Sequence, residues 1–228
     1  MKFPETSKLY SLNKSTYSNL RWIAYIGQLF AILIVEFFFK FKFDYFICIL
    51  ILFFSVLTNL YLIFKIRDNQ LNHFVSTIYL SFDILQLGLL LFLTGGITNP
   101  FIMLLIMPAV FSSQYLSIWS SVILVVLTII TLLILTFFYF DLPHPGALNF
   151  HAPDYYLYSI TVSILIGLIF LVYFGFKFGT ESRIRKKAYD KMQEIMAKEN
   201  ELLSLGGQAA AAAHSLGTPL STILLTVK

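Results

Sequence analysis

One feature constrains this sequence more than any other, because residues 22–176 form a nearly continuous apolar stretch. A helix that crosses a bilayer needs about 20 apolar residues, so the stretch has room for six such helices with short turns between them. The chain is 58% hydrophobic and 12% charged, whereas a soluble domain is about 25% charged. This balance excludes a water-soluble globule and a disordered chain. Because backbone that faces lipid must satisfy its own hydrogen bonds, we predict an all-α, six-helix transmembrane bundle.

The composition divides the chain into four parts. We predict a cytoplasmic N-terminal tail at residues 1–21, a six-span membrane domain at 22–176, a coiled-coil linker at 177–205 and the start of a dimerisation helix at 206–228. The N-terminal tail lacks the short apolar core of a cleaved signal peptide. The single cysteine, Cys48, lies in an apolar run, so no intramolecular disulfide is expected.

The distribution of lysine and arginine predicts the orientation of the bundle. If the N-terminus lies in the cytoplasm, 14 of the 16 lysine and arginine residues lie on the cytoplasmic side, and only Lys40 and Lys42 lie outside. An even number of spans returns the C-terminal tail to the cytoplasm. We therefore expect a multi-pass membrane protein with both termini inside.

The fourth span is unusual because it is short and follows a glycine-rich loop. Residues 101–115 make about 22 Å of helix, which is less than the hydrocarbon core of about 30 Å, and Pro108 is expected to kink the helix. The loop at residues 95–100 can therefore dip into the outer leaflet, where non-helical backbone persists only beside protein or a cavity. This makes it a candidate binding loop. A plain tight turn, with two glycines at positive φ before Asn-Pro, is the alternative.

Two polar residues, Asp83 and Gln86, lie inside the third span and share one helix face. An ionisable side chain within a span is costly and usually marks a functional site. The alternative is an interhelical hydrogen bond that fixes the packing, worth about 0.6–2 kcal/mol. The sequence leaves both interpretations open.

The loop before the sixth span contains His144 and His151. Their spacing does not match a helical metal site, and three prolines nearby indicate an extended connector. We expect no metal site.

The tail beyond the last span carries a heptad pattern. Its seam positions from residue 184 to residue 216 are apolar except for two lysines, which is typical of a parallel coiled coil and predicts a homodimer. A basic cluster at residues 183–187 is expected to attract anionic membrane lipids. In this register His214 points outward, and Pro219 is expected to loosen the helix after it. An exposed neutral imidazole is a nucleophile.

The segment around this histidine resembles the H-box of bacterial sensor histidine kinases. The matching residues are His214, Thr218, Pro219 and Leu220, and Ser215 directly follows the histidine. The resemblance implies that His214 accepts a phosphoryl group from ATP and passes it to an aspartate of a cognate response regulator. It implies no direct binding to nucleic acid.

A second resemblance narrows the family. The loop before the fourth span is similar to the heptapeptide of the RegB/PrrB/ActS redox-responsive kinases, and so is the approach to it through Asp83 and Gln86. Those kinases are six-span proteins of the bacterial inner membrane with both termini in the cytoplasm. The resemblance implies a ubiquinone-type quinone as ligand, with oxidised quinone lowering kinase activity. The candidate ligand-binding residues are Gly95, Gly96, Thr98, Asn99, Pro100, Phe101, Asp83 and Gln86.

Three features depart from that family's pattern. Ser215 stands where the family usually has an acidic residue, and because serine can only hydrogen-bond, we expect autophosphorylation to be slower or differently assisted. The family's redox-active cysteine lies in the linker before the H-box, and this linker has none. The sequence ends at Lys228 within the first dimerisation helix, so we expect a piece of a longer protein in which ATP binds through a C-terminal domain.

We therefore interpret the chain as the membrane sensor part of a redox-responsive, two-component histidine kinase that forms a homodimer. The alternative is a six-span transporter or channel without kinase function, in which Asp83 and the broken start of span four line a solute path. A receptor fragment that only dimerises with an intact kinase is a third interpretation.

The orientation can be tested by cysteine labelling. In a Cys48→Ser background, we expect a membrane-impermeant maleimide to label Lys42→Cys in intact spheroplasts, because that position lies outside. Lys187→Cys should react only after the membrane is opened. Labelling of Lys187→Cys in intact spheroplasts would contradict the proposed topology.

Overall fold

The computed structural model describes residues 12–40, 43–66, 68–140, 142 and 152–226, with side chains described up to residue 216. The chain is almost entirely helical. In chain order the helices are α1 (Lys14–Leu33, continued by a π-helical turn at Ile34–Phe38), α2 (Tyr45–Lys65), α3 (His73–Leu93), 3-10 helices at Gly96–Thr98 and Pro100–Ile106, α4 (Met107–Tyr115), α5 (Ile118–Phe137) and α6 (Asp154–Thr226).

Six apolar helical segments make up the membrane bundle. Five of them, which are α1 with its π-helical turn, α2, α3, α5 and α6, are long and apolar enough to cross a membrane, and the segment Pro100–Tyr115 is apolar but shorter. In the described part of the chain the strands are limited to β1 (Leu12–Asn13) and β2 (Gln70–Leu71), which pair antiparallel. The predicted all-α, six-helix membrane bundle is confirmed.

The short fourth segment gains length by changing helix type. Pro100–Ile106 is a 3-10 helix, and α4 continues it from Met107. A 3-10 helix rises about 2.0 Å per residue, so the whole segment measures about 28 Å rather than the ~24 Å of a continuous α-helix. Pro108 lies in the first turn of α4, where proline is tolerated. The helix type changes one residue before this proline, and the expected kink stays a prediction.

Helix α3 lies at the centre of the bundle. Half of its most apolar stretch is buried, more than in any of the other four long helices. A Cβ added at Gly88 would lie 2.6 Å from Cγ2 of Thr131, so the glycine allows α3 and α5 to approach closely. Gly175 of α6 packs in the same way against Ser113 of α4. Because lipid provides no hydrophobic driving force between helices, close packing at such small residues drives their association.

Helix α1 packs closely on α2 and meets α3 through several polar side chains and through apolar residues such as Tyr25 and Leu90. Below them, the short β1–β2 ladder places Leu12 opposite Leu71, and both side chains are buried. The Nζ atom of Lys14 donates to the carbonyl oxygen of Ile66 at 2.6 Å, which ties the start of α1 to the end of α2. The first helix is therefore anchored at one end and along α2.

The chain divides into two compact units, Met1–Thr180 and Glu181–Lys228. Helix α6 contributes to both units, and it remains helical through Gly206 and Gly207. The described apolar residues of the predicted seam are exposed, among them Ile184, Ile195, Leu202, Leu205 and Leu216. Their exposure is compatible with a coiled-coil partner, and the homodimer stays a prediction.

The close approach at Gly88 can be tested by substitution and rescue. We expect Gly88→Ala to lower the free energy of unfolding by about 1–3 kcal/mol, because the new Cβ overlaps the methyl group of Thr131. The double variant Gly88→Ala/Thr131→Ser removes that methyl group and should recover most of the loss. Equilibrium unfolding in detergent measures both effects. Gly167→Ala is the control, because a Cβ there meets nothing within 4 Å; equal losses at Gly88 and Gly167 would contradict the packing argument.

Candidate functional site

The loop between α3 and the fourth segment is held in a conformation that requires glycine. Gly95 and Gly96 have φ angles of 114° and 52°, which L-residues rarely adopt. A Cβ on Gly96 would also lie 2.8 Å from the carbonyl oxygen of Leu135 and would overlap the side chain of Tyr139. These two glycines therefore shape the loop and seat it against the end of α5.

The side chain of Asn99 closes the loop on itself. Its Nδ2 donates to the carbonyl oxygen of Thr94 and to Oγ1 of Thr94, both at 2.8 Å. Its Oδ1 accepts from the backbone N–H of Phe101 at 2.9 Å, which caps the 3-10 helix. Because an amide has two N–H donors, both donors of Asn99 are used inside the loop. Thr98 is engaged in a similar way, donating from Oγ1 to the carbonyl oxygen of Gly95 at 2.6 Å.

A cavity of about 860 Å³ lies between α1, α3 and the segment from Asn99 to Gln114. Its lining is mostly aliphatic and aromatic, and along α3 it runs from Leu80 to Thr94, about 21 Å of helix. Of the residues predicted from the sequence, the lining includes Asp83, Gln86, Asn99, Pro100 and Phe101; Gly95, Gly96 and Thr98 are not part of it.

A polar cluster joins three helices at one part of the cavity lining. Nη2 of Arg21 lies 2.9 Å from Oδ1 of Asp83 and donates to Oγ1 of Thr58 at 2.8 Å. The hydroxyl group of Tyr17 donates to Oδ2 of Asp83 at 2.5 Å. Arg21 is 3% exposed, so this is a buried ion pair within the membrane bundle. Both carboxylate oxygens of Asp83 are engaged, one by Arg21 and one by Tyr17.

Aromatic rings surround the Arg21 guanidinium group. Its Cζ atom lies 5.3–5.9 Å from the ring centroids of Tyr17, Tyr25, Tyr79 and Phe82, within the range of cation–π attraction. Nε and Nη1 are buried, and no described residue offers them an acceptor in hydrogen-bonding geometry. The rings stabilise the part of the charge that Asp83 and Thr58 do not reach.

The sequence did not reveal Arg21 as a partner of Asp83. We predicted that Arg21 ends the N-terminal tail, because it directly precedes the apolar run; in the structure α1 begins earlier, at Lys14, and Arg21 lies in its second turn. The available signal was Asp83 itself, because a carboxylate inside a span usually pairs with a cation. The interhelical contact considered for Asp83 is present.

A second polar contact crosses the cavity. Nε2 of Gln86 on α3 donates to Oε1 of Gln28 on α1 at 3.1 Å. Gln86 is 6% exposed, and both side chains line the cavity. Gln28 was not identified from the sequence, because a single glutamine in an apolar helix has no periodicity that marks it.

The predicted phosphoacceptor lies on α6. His214 is exposed, as is every other residue from 184 to 216, so its outward heptad position stays a prediction. The neighbouring Ser215 donates from Oγ to the carbonyl oxygen of Ala212 at 2.9 Å. The side chains of Thr218 and Pro219 lie outside the described residues, and the same is true of His144 and His151 in the loop before α6.

Comparison with known proteins supports the family resemblance. The chain is 35% identical over 207 residues to two curated proteins named sensor histidine kinase RegB, one from Cereibacter sphaeroides and one from a named strain of that species. The matched region covers 90% of this chain and 45% of each relative. No family model matches the chain, and no solved structure does.

The helical bundle and the H-box-like segment around His214 resemble those of membrane-bound sensor histidine kinases. Within that class, the chain is similar to the N-terminal region of RegB-type kinases, which confirms the resemblance found from the sequence motifs. The chain spans less than half the length of these relatives.

The buried ion pair gives a prediction about stability. We expect Arg21→Met to lower the free energy of unfolding by about 3–5 kcal/mol, because it leaves the Asp83 carboxylate buried without its cation. The double variant Arg21→Met/Asp83→Leu should lose less than either single variant, as measured by equilibrium unfolding in detergent. Glu194→Gln is the control, because Glu194 forms exposed ion pairs with Lys191 and Lys198. The free energy of unfolding of this variant should not differ measurably from that of the wild-type protein. Losses that simply add in the double variant would contradict the coupling.

Proposed function

We propose that this chain is the sensor region of a two-component histidine kinase of the bacterial inner membrane, with both termini in the cytoplasm. Its ligand is a ubiquinone-type quinone in the cavity between α1 and α3, and its phosphoacceptor is His214. The intact protein acts as a homodimer, binds ATP through its C-terminal part and transfers the phosphoryl group to a response regulator. The similarity to RegB sensor histidine kinases supports the kinase assignment.

The observation that carries the ligand proposal is the cavity itself. Its lining includes Phe101 and Pro100 from the glycine-rich loop and Gln86 from the third span, although these residues come from two separate parts of the sequence. A mostly apolar cavity with a few polar groups is typical of sites for small lipophilic molecules. Phe101 is 50% exposed and contributes an aromatic surface, against which a planar ring can pack.

The proposed roles of individual loop residues differ from those expected at first. Gly95, Gly96, Thr98 and Asn99 set the shape of the loop, because their φ angles and hydrogen bonds are taken up within it. Pro100 and Phe101 supply the cavity surface. Asp83 holds α1 through Arg21, and it acts on the ligand only by positioning the cavity wall.

Signal transfer to His214 is proposed to proceed through α6, which begins at Asp154 in the bundle unit and continues into the second unit. Quinone occupancy would favour one of two arrangements of the bundle helices, and the ligand can shift that equilibrium only by its differential affinity for the two. The Ser215 hydroxyl group donates its proton to the carbonyl oxygen of Ala212. Toward the His214 imidazole it can therefore act only as a hydrogen-bond acceptor.

The proposal can be tested with a chimera that joins residues 1–228 to the C-terminal part of the Cereibacter sphaeroides relative. In liposomes with labelled ATP, we expect oxidised ubiquinone to lower the labelling of the chimera several-fold. His214→Gln should abolish labelling. Phe101→Ala should keep the labelling but reduce the response to quinone, because the ring surface of the cavity is lost.

Phe53→Ala is the matched control, since Phe53 is a similarly exposed phenylalanine on α2 that does not line the cavity. An unchanged response to quinone in Phe101→Ala, or the same loss in Phe53→Ala, would contradict the proposed site. A chimera that is labelled at His214 but never responds to quinone would remove the quinone proposal and keep the kinase assignment.

A further inference from the structure

Gln28 and Gln86 both line the cavity, and each side-chain amide keeps one hydrogen-bonding group that the bond between them does not use. One bond joins Nε2 of Gln86 to Oε1 of Gln28. Among the described residues, Nε2 of Gln28 and Oε1 of Gln86 have no partner. Exchanging the nitrogen and oxygen positions of both amides would leave the same result, one spare donor group and one spare acceptor. The pair therefore offers both kinds of group, whichever way the amides are oriented.

Other polar side chains of the cavity are occupied or inaccessible. Both oxygens of Asp83 are engaged by Arg21 and Tyr17. Both donors of Asn99 are used on Thr94. The unpartnered nitrogens of Arg21 are buried among aromatic rings, and the hydroxyl oxygen of Tyr25 is buried as well.

We propose that Gln28 and Gln86 together bind the polar head of the ligand. A quinone carbonyl oxygen accepts a hydrogen bond from the spare amide N–H group, and a quinol hydroxyl group can in addition donate to the spare amide oxygen. The apolar tail then lies along the aliphatic lining. This assignment rests on the proposed function and moves the polar contacts from the glycine-rich loop to the contact between α1 and α3.

The position of the pair gives ligand binding a structural consequence. Gln28 lies on α1 and Gln86 on α3, and their bond is one of the few polar contacts between these helices, together with those that Tyr17 and Arg21 make to Asp83. A ligand that binds the spare amide groups therefore lies directly at a contact between two membrane helices. A contact at Asn99 would reach only a loop whose hydrogen bonds are already satisfied.

The test uses the purified 228-residue chain in nanodiscs and measures binding of ubiquinone-1 by calorimetry. The variants are Gln28→Met and Gln86→Met, which keep the side-chain length and remove the amide. We expect the variant that removes the spare N–H group, which is Gln28→Met in the orientation given above, to weaken binding about five- to tenfold, the effect of losing one buried hydrogen bond to a ligand. The other variant removes an acceptor that the quinone does not use, so its effect should be smaller. Thr128→Val is the control, because its hydroxyl group bonds only within α5 and does not line the cavity.

A second measurement separates recognition from a loss of structure. The dimethyl ether of ubiquinol-1 keeps the ring and the tail but has neither carbonyl nor hydroxyl groups. Wild-type protein and Thr128→Val should bind ubiquinone-1 about five- to tenfold more tightly than this ether, because only the quinone accepts a strong hydrogen bond. This preference should disappear in the variant that removes the spare N–H group and in the double variant Gln28→Met/Gln86→Met.

Each outcome decides between the two proposals. If wild-type protein binds ubiquinone-1, loses that binding in Phe101→Ala and keeps its full preference in Gln28→Met and Gln86→Met, the amide pair is not the head-binding group and the quinone site stands. If wild-type protein does not distinguish ubiquinone-1 from the ether, the amide pair has no role in recognition, even if the variants do not fold. If wild-type protein does not bind ubiquinone-1 at all, both proposals are wrong.

Discussion

The structure depends on one interaction, the buried ion pair between Arg21 of α1 and Asp83 of α3. Each charge alone would be expensive inside a membrane bundle. Here the carboxylate receives a guanidinium and a tyrosine hydroxyl group, while aromatic rings surround the rest of the guanidinium. The pair fixes which faces of α1 and α3 oppose each other. Removing one partner leaves an uncompensated charge, whereas removing both is far less costly.

The cavity lies beside that pair, and both residues belong to its lining. Helix α1 packs closely on α2, and it meets α3 through polar contacts at Asp83 and again at Gln86. The long side chains at these contacts hold α1 away from α3. On the opposite face of α3, Gly88 lets the helix approach Thr131 of α5 more closely. The space between the polar contacts is lined by apolar residues, and the glycine-rich loop forms one of its walls. Helix α3 thus has one tightly packed face and one loosely packed face.

The candidate site could be predicted in part. Asp83, Gln86 and the loop were identified because an acid within an apolar helix and a Gly-Gly…Asn-Pro segment are conspicuous in sequence. Arg21, Tyr25 and Gln28 were not identified as site residues, since residues of α1 reach α3 only through the tertiary fold. Asn99 was expected to bind the ligand, and that stays a prediction. It lines the cavity, and its amide also closes the loop through Thr94 and Phe101.

The sequence by itself determined the class of fold, because the length of each apolar run and the need to satisfy backbone hydrogen bonds in lipid leave only a helical bundle. It also determined the H-box and the loop, whose residue types are tied to local chemistry and to positive φ angles. Tertiary structure alone decided which polar groups are occupied. Whether an amide or a guanidinium is free for a ligand depends on neighbours from distant helices, such as Thr58 beside Arg21 and Gln28 beside Gln86, and no local pattern records those distances.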